Sequence, residues 1–279
     1  MDYTEYTGPG TAIDQRTVNI SDGVTLKIIE FIPKNDDKKK PIVIFVAGWI
    51  SHISGWKEVL REITGTYHTI YLESREKKSS LAPRTRNITY DIERLKLDLK
   101  EVVDAVIPRN RKFIFAGSSL GATVIMEYCT MRYRDPLCSI LISPLSEFRF
   151  PKFFAVILPG IPVSSYSIIK PLVKWYLKTF RVKEEEQSRK YNYTLDEADP
   201  YKLKKNAMAL KNYKIWDSLK NITVPCLIIG AADDTLHSTD EVRQFLTIIP
   251  RAEYVELASN KETHSAKAGQ IIVNKIRDL

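Results

Sequence analysis

A serine with a glycine two positions away on either side stands at the centre of residues 117–121, which read Gly-Ser-Ser-Leu-Gly. An apolar run, residues 112–116, comes directly before this segment, and a helix-like stretch, residues 122–128, follows it. The two glycines leave room for a sharp turn, on which a serine hydroxyl stands clear and can attack a carbonyl group. The pattern therefore predicts a nucleophile elbow centred on Ser119, although the same five residues also occur in plain strand-to-helix turns.

A nucleophilic serine needs a base that accepts its proton, and histidine commonly has this role. The chain contains four histidines. His68 begins a predicted strand, so it lies at the sheet edge opposite the serine turn. His52 precedes the serine in the chain, and His237 lies close to two aspartates. Because His264 follows the last predicted strand and opens the last helix, we predict His264 as the base.

The base needs a carboxylate that holds its tautomer and stabilises its charged form. A predicted strand, residues 224–231, runs into Asp233 and Asp234, which puts two carboxylates just past the sheet. One of them is sufficient, and the second is expected to act in a turn or as a helix cap. From its position alone, either aspartate fits the role of the acid.

Strands and helices alternate along most of the chain, and this alternation positions the candidate residues. Apolar strands between amphipathic helices indicate an α/β fold with a mostly parallel sheet that helices cover on both faces. The predicted strands are residues 24–33, 41–47, 68–74, 112–118, 137–143, 224–231 and 252–257. The predicted helices are residues 56–63, 90–106, 240–249 and 264–277, with one more from the serine turn to about residue 134.

The alternation stops between residues 144 and 216, a stretch rich in aromatic residues and prolines. It is far longer than an ordinary connection between two strands. We interpret residues 145–216 as an inserted helical cap, and residues 1–144 and 217–279 as the core. Residues 166–182 place apolar and cationic residues at helical spacing. This basic amphipathic helix either packs its apolar side over the core, with its lysines in water, or meets an anionic lipid surface.

The chain resembles the α/β-hydrolase superfamily over nearly its whole length, in particular capped lipases and esterases such as the monoacylglycerol lipases. The resemblance rests on residues 117–121, on residues 230–233 (Gly-Ala-Ala-Asp) and on His264 before the terminal helix. Members of the superfamily place the acid three residues after such a glycine, which selects Asp233. The resemblance implies an α/β-hydrolase fold and a catalytic triad of Ser119, Asp233 and His264, in the chain order typical of this fold.

The resemblance also implies an oxyanion hole built from two backbone N–H groups, those of Leu120 and Trp49. A competing interpretation makes Trp49 part of the pocket wall only. Relatives usually have His-Gly in the second loop, whereas this chain has Ala47 before Gly48. Many relatives also carry Asp-x-Arg-Gly-His-Gly-x-Ser after the next strand. Residues 73–80 read Glu-Ser-Arg-Glu-Lys-Lys-Ser-Ser instead, without either glycine. The absence of the glycines favours a surface loop that has diverged from the family pattern. The alternative is a loop that forms a route for the charged head group of a substrate.

Composition sets further bounds. The 279 residues carry a net charge of +8, with 44% hydrophobic and 27% charged residues, which is typical of a soluble globular chain. No nucleic-acid-binding motif accompanies the basic charge, so we expect no nucleic acid partner. The three cysteines lack ligand spacing and are expected to be buried thiols. With no secretory signal, a cytoplasmic location is expected. No metal or organic cofactor is implied.

We therefore expect a serine hydrolase whose substrate is a small-molecule ester or thioester with an apolar or lipid-like acyl group. A peripheral membrane contact through the cap is a further expectation. A competing hypothesis is an aminopeptidase or amidase of the same fold, in which Glu184, Glu185, Glu186 or Asp199 would hold the free amine of the substrate. A non-catalytic ligand-binding protein and a protein whose cap binds lipid surfaces also fit the sequence.

Overall fold

Eight strands form one sheet in the computed structural model, which describes residues 2–49, 51–148, 157–176, 178–179, 185–232 and 239–279. The strand order is β1-β2-β4-β3-β5-β6-β7-β8. The strands are β1 Ala12–Asn19, β2 Thr25–Ile32, β3 Ile42–Val46, β4 Thr69–Glu73, β5 Phe113–Ser118, β6 Ser139–Ile142, β7 Cys226–Ala231 and β8 Ala252–Leu257. Six strands, β4, β3, β5, β6, β7 and β8, run parallel to one another. Their carboxyl ends therefore meet at one edge of the sheet.

Helices cover both faces of the sheet, as the apolar strands require. The helices of the described residues are α1 Lys57–Thr64, α2 Ile92–Val106, α3 Leu120–Thr130, α4 Tyr166–Tyr176, α5 Glu185–Glu197, α6 Pro200–Leu210, α7 Thr239–Ile248 and α8 Ala266–Arg277. Helices α1 and α8 pack together on one face, and α2, α3 and α7 contribute to the apolar layer on the other. The predicted α/β class with a mostly parallel sheet is confirmed.

The first strand, β1, is not among the strands that the sequence pattern predicts. It pairs antiparallel with β2, which itself pairs antiparallel with β4. Most of its side chains are exposed, and Val18 is the one buried residue of the strand. An edge strand that buries so little needs no alternating apolar pattern, which explains why residues 12–19 carry no recognisable strand signal.

Three of the helices, α4, α5 and α6, lie between β6 and β7, in the segment interpreted as a helical cap. The described part of this segment is therefore helical, and its division from the core as a separate domain stays a prediction. None of the helices in the described residues is both long and apolar enough to cross a membrane.

The three cysteines are buried and free of disulfide bonds. Burial raises the pKa of Cys129 to about 12 and that of Cys138 to about 11. Both thiols are therefore protonated and unreactive at neutral pH. The expectation of buried thiols is confirmed for the three cysteines.

Candidate active site

Ser119 lies on the turn that joins β5 to α3. Its backbone has φ 48° and ψ −118°, a conformation that costs about 1 to 3 kcal/mol for a residue with a side chain. The N–H group of Ser119 donates to the carbonyl oxygen of Ile142 at 2.9 Å, which ties the turn to the end of β6. A strained turn of this kind holds the serine side chain at the carboxyl edge of the sheet.

The two glycines of the motif allow the end of β3 to approach the turn. A methyl group on the Cα of Gly121 would overlap the carbonyl oxygen of Val46 and lie 2.7 Å from that of Ala47. A methyl group on Gly117 would lie 2.8 Å from the same oxygen of Val46. The glycines therefore serve backbone packing between β3 and α3 as well as the sharpness of the turn.

The loop after β3 packs directly against the serine. A methyl group on the Cα of Gly48 would lie 3.2 Å from the Cβ of Ser119, and the N–H of Gly48 donates to Ser118 Oγ at 3.0 Å. Leu120 is the first residue of α3, where N–H groups have no partner within the helix and the helix dipole is positive. Gly48 and Leu120 thus bring backbone groups next to the candidate nucleophile, and the place of Trp49 in an oxyanion hole stays a prediction.

His264 ends a short 3₁₀ turn, Glu262–His264, between β8 and α8. Its ring stacks on buried Trp56, with ring centroids 4.2 Å apart. Its Nδ1 lies 3.2 Å from the carbonyl oxygen of Asn260 and 3.0 Å from Thr263 Oγ1, a hydroxyl that donates to the same carbonyl. Because both partners then act as acceptors, this network assigns the ring hydrogen to Nδ1. In this tautomer Nε2 is the basic nitrogen, as a general base needs.

A series of contacts connects the histidine to the serine. Trp56, which stacks on His264, donates from Nε1 to Ser51 Oγ at 3.1 Å. The N–H of Ser51 donates to the carbonyl oxygen of Gly48 at 3.0 Å, and Gly48 packs against Ser119. Ser119 and His264 also follow strands that run in the same direction, so both lie beyond the same sheet edge.

Asp233 and Asp234, the two candidate acids, lie outside the described residues. Strand β7 ends at Ala231, and the described residues resume at residue 239. Because β7 lies between β6 and β8, a carboxylate that follows it would be at the same edge as Ser119 and His264. The choice of Asp233 as the acid stays a prediction.

Of the remaining histidines, two have structural partners, and His237 lies outside the described residues. His68 Nε2 lies 2.6 Å from Glu30 Oε1. Because His68 directly precedes β4, it lies at the edge of the sheet opposite Ser119. His52 accepts at Nδ1 from the N–H of Ser54 at 3.2 Å, and burial lowers its pKa. Its ring contacts Tyr193 of α5, with centroids 5.0 Å apart, so the helical segment reaches the loop that follows β3.

The expectation that residues 73–80 form a drifted surface loop is wrong. Arg75, Glu76, Lys77 and Ser80 are all buried. The guanidinium of Arg75 makes a bidentate pair with Asp98, and both N···O distances are 2.5 Å. Apart from the exposed Lys78 and Ser79, the loop is thus largely internal in the fold, and its charged side chains have partners from distant parts of the chain. The sequence signal that could have found this is the arginine kept from the family pattern.

Helix α4 is half-buried at Ile169 and Val173, and it also exposes large apolar side chains to solvent. Residues 177 and 180–182 of the predicted amphipathic helix lie outside the described residues. Ile168, Leu172 and Trp175 are 79%, 62% and 56% exposed. Lys170 and Lys174 instead pair with Asp196 of α5, at 2.8 and 2.7 Å. Both lysines thus pair with the neighbouring helix, and the apolar residues at i, i+4 and i+7 form a stripe, which we call the α4 stripe.

In the described part of the chain, no group of three or more His, Cys, Asp or Glu side chains is arranged to hold a metal ion.

The chain is similar to known proteins in both sequence and structure. A family model described as serine aminopeptidase, S33, matches residues 37–261. A hydrolase from Pseudomonas aeruginosa PA01 is similar in structure, with a TM-score of 0.76 and 17% sequence identity over 95% of this chain and 99% of that chain. No curated protein matches the chain.

Two further solved structures have the same fold. An esterase from Exiguobacterium antarcticum has a TM-score of 0.76 and 16% identity, over 95% of this chain and 100% of that one. An enol-lactonase from Burkholderia xenovorans LB400 has a TM-score of 0.74 and 16% identity, over 94% of this chain and 98% of that one. At such identities the likeness establishes the fold, which is the α/β-hydrolase fold.

Proposed function

The chain belongs to the serine aminopeptidase, S33 family, and from this premise we propose that it is a serine hydrolase that cleaves carboxylic esters or thioesters with an apolar acyl group. The observation that carries the proposal is the strained backbone of Ser119, with φ 48°. Strain of this kind persists only where the surrounding structure holds it, and it clusters at functional sites. A helix N-terminus and the loop at Gly48 lie next to it, where a carbonyl oxygen would become negative.

The mechanism is acyl transfer in two steps. Ser119 Oγ attacks the carbonyl carbon while His264 Nε2 takes its proton, and Asp233 stabilises the resulting imidazolium. The N–H groups of Leu120 and Trp49 hold the oxyanion. When the tetrahedral intermediate collapses, His264 returns the proton to the leaving alcohol or thiol, and the acyl group stays on Ser119. Water, activated by the same histidine, then releases the carboxylic acid and restores the serine.

The state of Asp199 supports ester over aminopeptidase activity. An aminopeptidase needs a carboxylate for the free amine of its substrate, and Asp199 is one of four candidates. Its Oδ1 accepts from the N–H groups of Tyr201 and Lys202 at the start of α6, at 2.9 and 3.2 Å, and its Oδ2 lies 3.4 Å from Arg84. This carboxylate is therefore already engaged. The side chains of the remaining three candidates, Glu184, Glu185 and Glu186, lie outside the described residues.

A panel of substrates tests the proposed reaction. We expect p-nitrophenyl esters from acetate to palmitate to be hydrolysed, with kcat/KM rising from acetate to a medium chain, because an apolar pocket gains binding free energy with each methylene. Aminoacyl p-nitroanilides are expected to react at least about 100-fold more slowly. Faster cleavage of the anilides than of every ester would instead assign the aminopeptidase activity.

The α4 stripe supports a second part of the proposal, a peripheral contact with a lipid surface. Isoleucine, leucine and tryptophan on one face are the side chains that an interfacial helix inserts among lipid headgroups and acyl chains. The net charge of +8 adds attraction to anionic lipid. A protein that binds a lipid surface in this way would meet lipid-like esters where they are concentrated.

Cosedimentation with phosphatidylcholine–phosphatidylglycerol vesicles tests this contact. Replacing Ile168, Leu172 and Trp175 together by serine is expected to weaken vesicle binding at least about tenfold, because the apolar area available for insertion is lost. The matched control is Lys170→Gln with Lys174→Gln, which removes two charges already paired with Asp196. If the lysine variant loses binding and the serine variant keeps it, the contact is electrostatic and the proposed role of the stripe is wrong.

A further inference from the structure

The peptide group between Gly48 and Trp49 has a buried lysine on its carbonyl side. Lys77 Nζ donates to the carbonyl oxygen of Gly48 at 2.6 Å. Cis peptide bonds are absent from the described residues, so the carbonyl of Gly48 and the N–H of Trp49 point in opposite directions within one rigid plane. Any group that fixes the oxygen of this plane therefore also fixes the direction of the N–H.

The ammonium group of Lys77 is surrounded by acceptors. It donates to the carbonyl oxygen of Ser51 at 2.9 Å as well as to that of Gly48, and it lies 3.5 Å from Glu76 Oε1. Burial lowers the pKa of Lys77, while the carboxylates of Glu76 and Glu73 act to raise it. The charged ammonium group has three N–H donors, and two carbonyl oxygens and one carboxylate surround it as partners.

The backbone of Lys77 is held as firmly as its side chain. Its N–H donates to the carbonyl oxygen of Ser74 at 2.9 Å, and its own carbonyl accepts from Lys202 Nζ of α6 at 2.7 Å. Lys202 is itself buried and also donates to the carbonyl oxygen of Ser80. The lysine that contacts the Gly48 loop is therefore anchored to the helical segment between β6 and β7.

We propose that Lys77 is a positioning residue that orients and polarises the Gly48–Trp49 peptide group, so that the Trp49 N–H becomes a strong oxyanion donor. The inference rests on the proposed function, in which that N–H holds the oxyanion. A cation at the carbonyl oxygen draws electron density through the amide and makes its N–H a better donor. The effect is large in a buried site, where water does not screen it. Lys77 occupies the position of the histidine in the family pattern.

The test compares three variants on the best p-nitrophenyl ester, with the concentration of active sites measured by fluorophosphonate titration. Lys77→Met removes the charge at similar length, and Lys77→Gln keeps a neutral donor. Lys78→Met is the matched control, because the Lys78 side chain is 64% exposed and pairs with Glu197 at 3.4 Å. The readouts are kcat per active site, KM, the Ki of a trifluoromethyl ketone that mimics the oxyanion, and the melting temperature.

We expect kcat of Lys77→Met to fall at least about tenfold, with KM changed less than about threefold. The loss is smaller than that of a whole oxyanion donor, because the Trp49 N–H remains and the Ser51 N–H still donates to the carbonyl of Gly48. The Ki of the ketone should rise in parallel with the loss of kcat/KM, and Lys78→Met should match the wild type. If Lys77→Met does not fold, Lys77→Gln decides the matter, with an expected loss of kcat of at least about tenfold.

A purely structural lysine would give a different result. It would lower the melting temperature and the number of active sites, and leave kcat per active site within about threefold of the wild type, which would overturn the inference alone. A wild-type protein that neither hydrolyses any ester nor reacts with the fluorophosphonate would overturn the proposed function, and the inference would fall with it.

Discussion

Ser119→Ala is expected to lower kcat for ester hydrolysis on the order of 10⁶-fold, because it removes the atom that forms the acyl-enzyme bond. The remaining groups of the site, the N–H groups around the oxyanion above all, still bind substrate, so some catalysis over water persists. The fold should be kept, since alanine adopts the same backbone strain and removes only a hydroxyl. Steady-state kinetics with the best ester and a thermal melt measure the two effects separately.

Ser118 is the matched control for this substitution, since it is the adjacent serine of the same motif. Its Oγ accepts from the N–H of Gly48 at 3.0 Å, so it supports the loop without facing the substrate carbonyl in the proposed mechanism. Ser118→Ala is expected to keep activity within about tenfold of the wild type. Equal losses in the two variants would show that Ser119 has no special role.

Arg75→Met is expected to lower the free energy of unfolding by about 3 kcal/mol, the lower end of the cost of breaking a buried ion pair, because Asp98 keeps Arg94 as a partner at 3.1 Å. The side chain of Arg75 is fully buried and makes the bidentate pair with Asp98, and its Nη1 also lies 2.8 Å from Asp22 Oδ2. Methionine fills similar space but provides no donor for either carboxylate. Urea denaturation at neutral pH measures the change.

Two further variants separate this effect from a general loss of charge. Arg84 is 68% exposed and pairs with Asp199, so Arg84→Met is expected to cost less than about 1 kcal/mol. Combining Arg75→Met with Asp98→Leu should recover part of the stability, because it also removes the buried carboxylate that has lost its bidentate partner. A cost below about 1 kcal/mol for Arg75→Met alone would mean that the buried pair contributes little.

The parts of the fold that depend on local pattern could be predicted from the sequence. Strand β5, the turn at Ser119 and helix α3 are coded by consecutive residues, and their positions agree with the prediction to within a few residues. The location of His264 after β8 follows from the order of elements, because parallel strands bring their following residues to one edge. The partner network that orients the ring, Asn260 and Thr263, is also local but carries no recognisable motif.

The rest could not be predicted, because it depends on contacts between distant residues. Residues 75–77, Arg-Glu-Lys, look like a surface loop in sequence, and only the contacts with Asp98 and Gly48 explain why they are buried. The same holds for α4, where two lysines pair with Asp196 of the next helix while Ile168, Leu172 and Trp175 face solvent. In both places the charged side chains have partners that no local pattern predicts.

Reaction with a fluorophosphonate probe, followed by peptide mapping, tests the central claim most directly, that Ser119 is a nucleophile activated by His264. We predict one adduct per chain on the peptide that contains Ser119, and a rate of labelling at least about 100-fold lower in His264→Ala. The matched control is His52→Ala, since His52 follows β3 near the same site, and it should be labelled at nearly the wild-type rate. Absence of an adduct, an adduct on another residue, or undiminished labelling of His264→Ala would contradict the claim.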